Sequence, residues 1–258
     1  MVTILEVIIL AVIQGLTEWL PVSSSGHLVI TQKILGLNLP LIYSIMLHFG
    51  TLFVVLTVFR KDIINILKAM IKRDFKTEEG KLAVFIVVGS IPIAVIGFTL
   101  KDTIEALFSS ILVVGLALLI TGCVIFFSEK RVSNKKMNTL DSILIGLAQA
   151  VAIIPGISRS GLTVSTGFLR RIDKTTAFMY SFLLSAPAII GATIVEAKDL
   201  VIGNVDAIPL ATGVIISMIT GYASLKLLQK IVLSEKFHLF AYYCWAVGLA
   251  IMFYIIIQ

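Results

Sequence analysis

"QGLTEWLPVSSSGHLV", residues 14–29, puts a glutamine, a glutamate, three consecutive serines and a histidine directly behind an apolar run that begins at Ile4. Its reading decides the fold. Polar groups are costly in hydrocarbon, where backbone and side chains must be satisfied internally. Pro21 removes a backbone donor and ends a helix, and Gly26 lets the chain turn closely. The stretch therefore predicts a helix that enters a membrane, breaks and turns back. A second stretch, "QAVAIIPGISRSG" (149–161), has the same make-up.

The surrounding chain supports a membrane setting. Its 258 residues are 58% hydrophobic and 14% charged, with a mean hydropathy of +1.05. A soluble domain carries about 25% charged residues. The alternation of an outer-membrane barrel is absent, so the predicted class is an all-α polytopic membrane protein forming a single membrane domain. "MVTILEVIILAVIQGL" has no Lys or Arg before its apolar stretch and no small-residue cleavage site after it, so it does not read as a signal peptide. Cys123 and Cys244 both fall in apolar runs and read as small buried hydrophobes.

Ten apolar segments lie near 4–20, 27–37, 41–59, 82–100, 110–128, 140–154, 161–169, 176–195, 208–229 and 238–257. Six are long enough to span about 30 Å of hydrocarbon: the third to fifth and the eighth to tenth. The other four form two re-entrant helix–loop–helix pairs. Loop charge agrees with this. Arg60, Lys61, Lys68, Lys72, Arg73, Lys76, Lys81, Lys130, Arg131, Lys135, Lys136, Arg170, Arg171, Lys174, Lys226, Lys230 and Lys236 fall on one side of such a chain. The other side holds Lys33, Lys101 and Lys198. The positive-inside rule makes the basic side cytoplasmic and both termini extracytoplasmic. The net charge of +6 thus reflects topology and no nucleic-acid partner.

The sequence also repeats. A shift of 135 residues aligns Gln14 with Gln149, Ser23 with Ser158, Ser25 with Ser160 and Gly26 with Gly161. A two-residue slip aligns Tyr43-Ser44 with Tyr180-Ser181. Three spans per copy place the copies, about 1–135 and 136–258, in opposite orientation. Such inverted-topology repeats bind ligands where their broken helices meet.

Four ionisable or imidazole groups lie deep in apolar segments: Glu18, His27, His48 and Arg159. Each is a functional candidate by its depth. Glu18 shares a helix face with Gln14. His48 reads as a packed helix–helix contact. Arg159, flanked by Ser158 and Ser160 at a helix start, suits a phosphate, because a guanidinium binds phosphate oxygens bidentately and helix N-termini add N–H donors. Gly156 and Gly161 allow close backbone approach. Chemistry on phosphorus then needs a nucleophile from Ser23, Ser24 or Ser25, a proton acceptor or donor from His27 or Glu18, and Arg159 to stabilise charge. A cation on Glu18 is conceivable, though one carboxylate and one glutamine are a thin ligand set. The histidine-nucleophile lipid-phosphatase signature also needs a histidine soon after its Ser-Arg, and 160–173 has none. A transporter or flippase of a phosphorylated lipid is the competing expectation, since it too accounts for inverted repeats and a buried arginine.

"QGLTEWLPVSSSGH" (14–27) resembles the [E/Q]-x-x-x-E and P-V-S-S-[ST]-G-H motif of the bacterial undecaprenyl-diphosphatase family, also called bacitracin-resistance proteins. "PGISRSGLT" (155–163) is similar to that family's P-G-x-S-R-S-x-x-T motif. The resemblance covers essentially the whole chain. It implies hydrolysis of undecaprenyl diphosphate to the monophosphate in the bacterial inner membrane, which recycles the peptidoglycan lipid carrier and confers bacitracin resistance. It implies Glu18, Ser24, His27 and Arg159 as the catalytic set, with Gln14, Ser23, Ser25, Ser158, Ser160 and Thr163 supporting, beside Gly26, Gly156 and Gly161 of the two turns. It also implies a divalent cation, Mg2+ or Ca2+, with Glu18 as a ligand. The expected partners are the polyprenyl diphosphate, the bilayer and a second copy of the chain.

Overall fold

The computed structural model describes residues 3–37, 41–129, 134–197 and 206–257. Lys130, Arg131 and Lys198 of the charge pattern lie outside them. Twelve helices and no strands occur among the described residues: α1 (Ile4–Trp19), α2 (Ser24–Leu35), α3 (Leu41–Val58), α4 (Arg60–Ile71), α5 (Glu78–Thr99), α6 (Lys101–Leu107), α7 (Ile111–Ser128), α8 (Thr139–Val151), α9 (Arg159–Leu169), α10 (Lys174–Ala197), α11 (Ala207–Leu233) and α12 (Leu239–Ile257). Helices α5, α7, α10, α11 and α12 are long and apolar enough to cross a membrane. Helix α3, bent by 78° from α4, brings the number to six. The protein is an all-α polytopic membrane protein.

The two polar stretches break helices as their sequences require. Helix α1 stops at Leu20, before Pro21. Ser23 then caps α2, its hydroxyl accepting from the Gly26 N–H. Ser158 caps α9 in the same way, accepting from the Gly161 N–H. With 16, 12, 13 and 11 residues, α1, α2, α8 and α9 are each shorter than the roughly 20 residues a span needs.

Two segments differ from the sequence expectation. Residues 60–71, read as a charged loop, form the amphipathic α4, because Ile66 and Ala69 pack inward while its basic residues stay exposed. Cys123 faces outward from α7, and only Cys244 is buried.

Helix α1 packs chiefly on α11, and α8 packs chiefly on α5. Helix α3 meets α11, α10 meets α5, α3 meets α10, and α7 meets α12. Exchanging α1, α3, α5 and α7 for α8, α10, α11 and α12 reproduces these six pairings. Small residues allow the close approaches. A Cβ on Gly146 of α8 would lie 2.2 Å from the Gly89 carbonyl oxygen of α5. Such small-residue contacts drive helix association in lipid, where the hydrophobic effect does not.

The described basic segments gather at one end. Lys136 pairs with Glu78, and Lys174 with Glu235. Lys135 and Arg170 share the buried carboxylate of Asp141. Glu129, at the end of α7, accepts from the backbone N–H groups of Phe237 and His238 before α12.

Gly146→Ala should force α5 and α8 apart, costing about 1–3 kcal/mol. A lowered thermal unfolding midpoint in detergent checks this. Gly191→Ala, where a Cβ would meet nothing within 4 Å, should leave the midpoint unchanged.

Candidate active site

The turns before α2 and α9 touch. The Gly156 N–H donates to Ser23 Oγ at 3.1 Å, and a Cβ on Gly26 would sit 3.1 Å from Gly156 Cα. Gly156 has φ +93°, and a Cβ there would lie 2.5 Å from the Val114 carbonyl oxygen, so only glycine fits. Ser23 adopts φ 68°, a left-handed conformation that non-glycine residues rarely take. Its hydroxyl holds that turn by accepting from both Gly26 and Gly156.

With the turns in contact, Glu18 of α1 meets Arg159 of α9. Arg159 Nη2 donates to Glu18 Oε1. Glu18 Oε2 accepts from Gln14 Nε2 at 3.0 Å and from the Ser24 hydroxyl at 2.6 Å. The Arg159 guanidinium lies 5.1 Å from the Trp19 ring centroid, in cation–π range. Its Nη1 is buried without a hydrogen-bond partner among the described residues, as is Gln149 Oε1.

Glu18, Ser23, Ser24, Ser25, Ser158 and Arg159 line a cavity of about 230 Å³. Its outer wall comes from Phe108, in the turn between α6 and α7, and from Ile93, Ala192, Thr193 and Glu196, toward the ends of α5 and α10 remote from the basic segments. The cavity offers a hydroxyl hydrogen-bonded to a carboxylate, a guanidinium with one unpartnered nitrogen, and two helix N-termini. These groups can bind a phosphoryl group and present an oxygen nucleophile to it.

Other expected residues lie elsewhere. His27 is not brought to the cavity: Nδ1 bonds to the Ser23 carbonyl at 2.8 Å, and Nε2 to the Tyr243 hydroxyl of α12 at 2.8 Å. The first turn of α2 points it outward. Ser160 donates to the Leu20 carbonyl. Thr163 donates to the Arg159 carbonyl and bonds to Ser181 of α10. Gly26, Gly156 and Gly161 shape the turns. None of these lines the cavity, because each faces a neighbouring helix or turn. Gln14 reaches it only through Glu18.

His48, Trp19 and Gln149 are site residues that the motifs passed over. Trp19 follows Glu18 directly, and Gln149 is the repeat mate of Gln14, so both had a signal. His48 lies with Nε2 3.6 Å from Glu18 Oε2.

A hard cation would find Glu18 and the unpartnered Gln14 Oε1. Among the described residues no three His, Cys, Asp or Glu side chains gather to hold a metal. The side chains present therefore do not form a preformed metal site.

Fold and cavity together define a polytopic membrane protein with a buried site for a phosphorylated ligand. The family model of the bacitracin resistance protein BacA matches residues 7–250, and the chain belongs to that family. Similar proteins include an undecaprenyl-diphosphatase of Methanosphaera stadtmanae, 40% identical over 96% of this chain and 97% of the relative. Those of Halothermothrix orenii and Carboxydothermus hydrogenoformans are 43% and 40% identical over 96% of this chain and 97% and 95% of theirs.

Ser23→Ala should leave the Gly26 and Gly156 N–H groups without their acceptor and loosen the junction of the turns. The expected loss is about 1–3 kcal/mol, read as a lower thermal unfolding midpoint.

Proposed function

We propose that the protein is a membrane phosphatase that hydrolyses undecaprenyl diphosphate to undecaprenyl phosphate and inorganic phosphate. The observation that carries this reading is the Ser24 hydroxyl held 2.6 Å from Glu18 Oε2 in the cavity that Arg159 also lines. A carrier needs the guanidinium and the helix ends but no hydroxyl aligned on a carboxylate. The curated relatives bear the same activity in their names.

The diphosphate enters with its terminal phosphoryl group against Arg159 and the N-termini of α2 and α9. Ser24 Oγ attacks the terminal phosphorus, and its proton passes to Glu18. The bond from that phosphorus to the bridging oxygen breaks, and undecaprenyl phosphate leaves. Water then cleaves the phosphoserine, releasing phosphate and restoring Ser24. Arg159 stabilises charge on the equatorial oxygens throughout. His27 is a positioning residue here, fixing the Ser23 turn from behind. A divalent cation, Mg2+ or Ca2+, would have Glu18 and Gln14 Oε1 as its protein donors and would supply positive charge against the diphosphate.

The chain is proposed to sit in the bacterial inner membrane as two inverted repeats, with both termini extracytoplasmic. The cavity then opens to the extracytoplasmic face, as supported by its outer wall lying opposite the basic segments.

Purified protein should release phosphate from undecaprenyl diphosphate, and Ser24→Ala should lower the rate by at least about 10²-fold. No release by the parent protein would leave transport as the function. Arg159→Lys should also lose about 10²-fold or more, because an ammonium lacks the planar fork. EDTA should abolish turnover and added Mg2+ or Ca2+ restore it.

A further inference from the structure

Helix α4 leaves the end of α3 at 78°, with only Phe59 between the two. A spanning helix ends at the bilayer surface, so a helix turned this sharply from it runs along that surface. We propose that α4 is a docking surface for anionic phospholipid, seated on the leaflet at the protein's basic end. This stands apart from the phosphatase reading and does not depend on it.

At about 100° per residue, the side chains of α4 fall on three faces. Ile66 and Ala69 form the face turned to the protein, and both are buried. Ile66 joins a core cluster with Ala83 of α5. A second face carries Ile64, Leu67 and Ile71, which are 49%, 51% and 82% exposed. Spaced three and four apart, they make a continuous apolar strip. Met70 borders both of these faces. The third face carries Lys61, Lys68 and Lys72, all exposed. The three faces lie roughly 120° apart. Asp62, the one acidic residue of the helix, falls beside the buried face and away from the lysines.

This division selects the occupant. The strip lies at the end of a span, level with the outer part of the acyl chains. The lysine face then reaches the headgroup layer, and the lysine stems cover apolar surface on the way. Surface-seated amphipathic helices have this arrangement of an apolar face beside a basic one. Ammonium groups at that depth favour a headgroup of net negative charge over a zwitterionic one. Each basic residue near an anionic surface contributes about fivefold. Exposed Arg73 and Lys76 extend the charge beyond the helix. The acidic residues among them are engaged: Asp74 accepts from the Lys76 backbone N–H, and Glu78 from Lys136.

A tryptophan placed on the apolar strip reads which lipid lies there. The full-length variant I64W is reconstituted into vesicles of equal parts phosphatidylglycerol and phosphatidylcholine. Bromine is carried near the headgroup end of the acyl chains on one lipid or the other. The signal of the parent protein, from Trp19 and Trp245, is subtracted. Brominated phosphatidylglycerol should quench at least about twice as strongly as brominated phosphatidylcholine. The ratio should fall to about one in I64W carrying K61Q, K68Q and K72Q, and also in the I64W protein at about 1 M salt. K226Q with K230Q, basic residues of α11, should leave it unchanged. Equal thermal unfolding midpoints should show that the variants fold, and L67W serves as reporter if I64W is unstable. The proposal is overturned if neither lipid quenches, which would mean that protein covers the strip. Equal quenching by both lipids overturns it, as does a preference that survives K61Q/K68Q/K72Q or disappears with K226Q/K230Q.

Discussion

The ion pair between Glu18 and Arg159, 141 positions apart in sequence, is the contact on which the site depends. Removing two charges from water costs several kcal/mol per ion, and their attraction repays this only in good geometry with the remaining lone pairs satisfied. On the carboxylate side those conditions are met by short local bonds. Gln14 lies one helical turn before Glu18, and Ser24 comes just past the break. Trp19 supplies its aromatic face to the guanidinium. The pair forms only if the breaks in α1–α2 and α8–α9 touch, which the bond from Gly156 to Ser23 enforces.

The two breaks are alike in backbone and unlike in charge. Each begins its second helix with a capping serine that accepts from a glycine three residues on. Each therefore offers a helix N-terminus and its partial positive charge to the same region. The first break brings the carboxylate and the candidate nucleophile, and the second brings the guanidinium. Catalytic asymmetry thus comes from side chains placed on nearly symmetric turns. The strain sits at these turns too, in Ser23 at positive φ.

Much of this was legible in the sequence. Long apolar runs, Pro21, Pro155 and the serine caps mark the helices and their breaks, because hydrocarbon leaves the backbone so few options. Glu18 and Arg159 stood out as charges at membrane depth. Helix α4 was hidden because it opens a stretch dense in Lys and Arg, and only Ile66 and Ala69 of its apolar residues are buried. The histidines were harder. His27 belongs to a striking motif by spacing, but the direction of a side chain in the first helical turn depends on the cap geometry, and here it points to Tyr243. His48 looked like a packing residue because sequence spacing carries no record of which face α3 turns toward α1. The orphaned Gln149 oxygen and Arg159 Nη1 emerge only when the two halves are assembled.

The separation of Glu18 and Arg159 along the chain also bears on how the protein is made. Ribosomes add roughly 5–20 residues per second, so α1 waits on the order of ten seconds before its counter-ion is synthesised. During that time α11, against which α1 finally packs, has not been made either. The first broken helix must therefore rest where its carboxylate keeps contact with water or with the insertion machinery. Only when the second half arrives can α1 settle into the bilayer interior, so assembly of the active centre and completion of membrane integration become one late event.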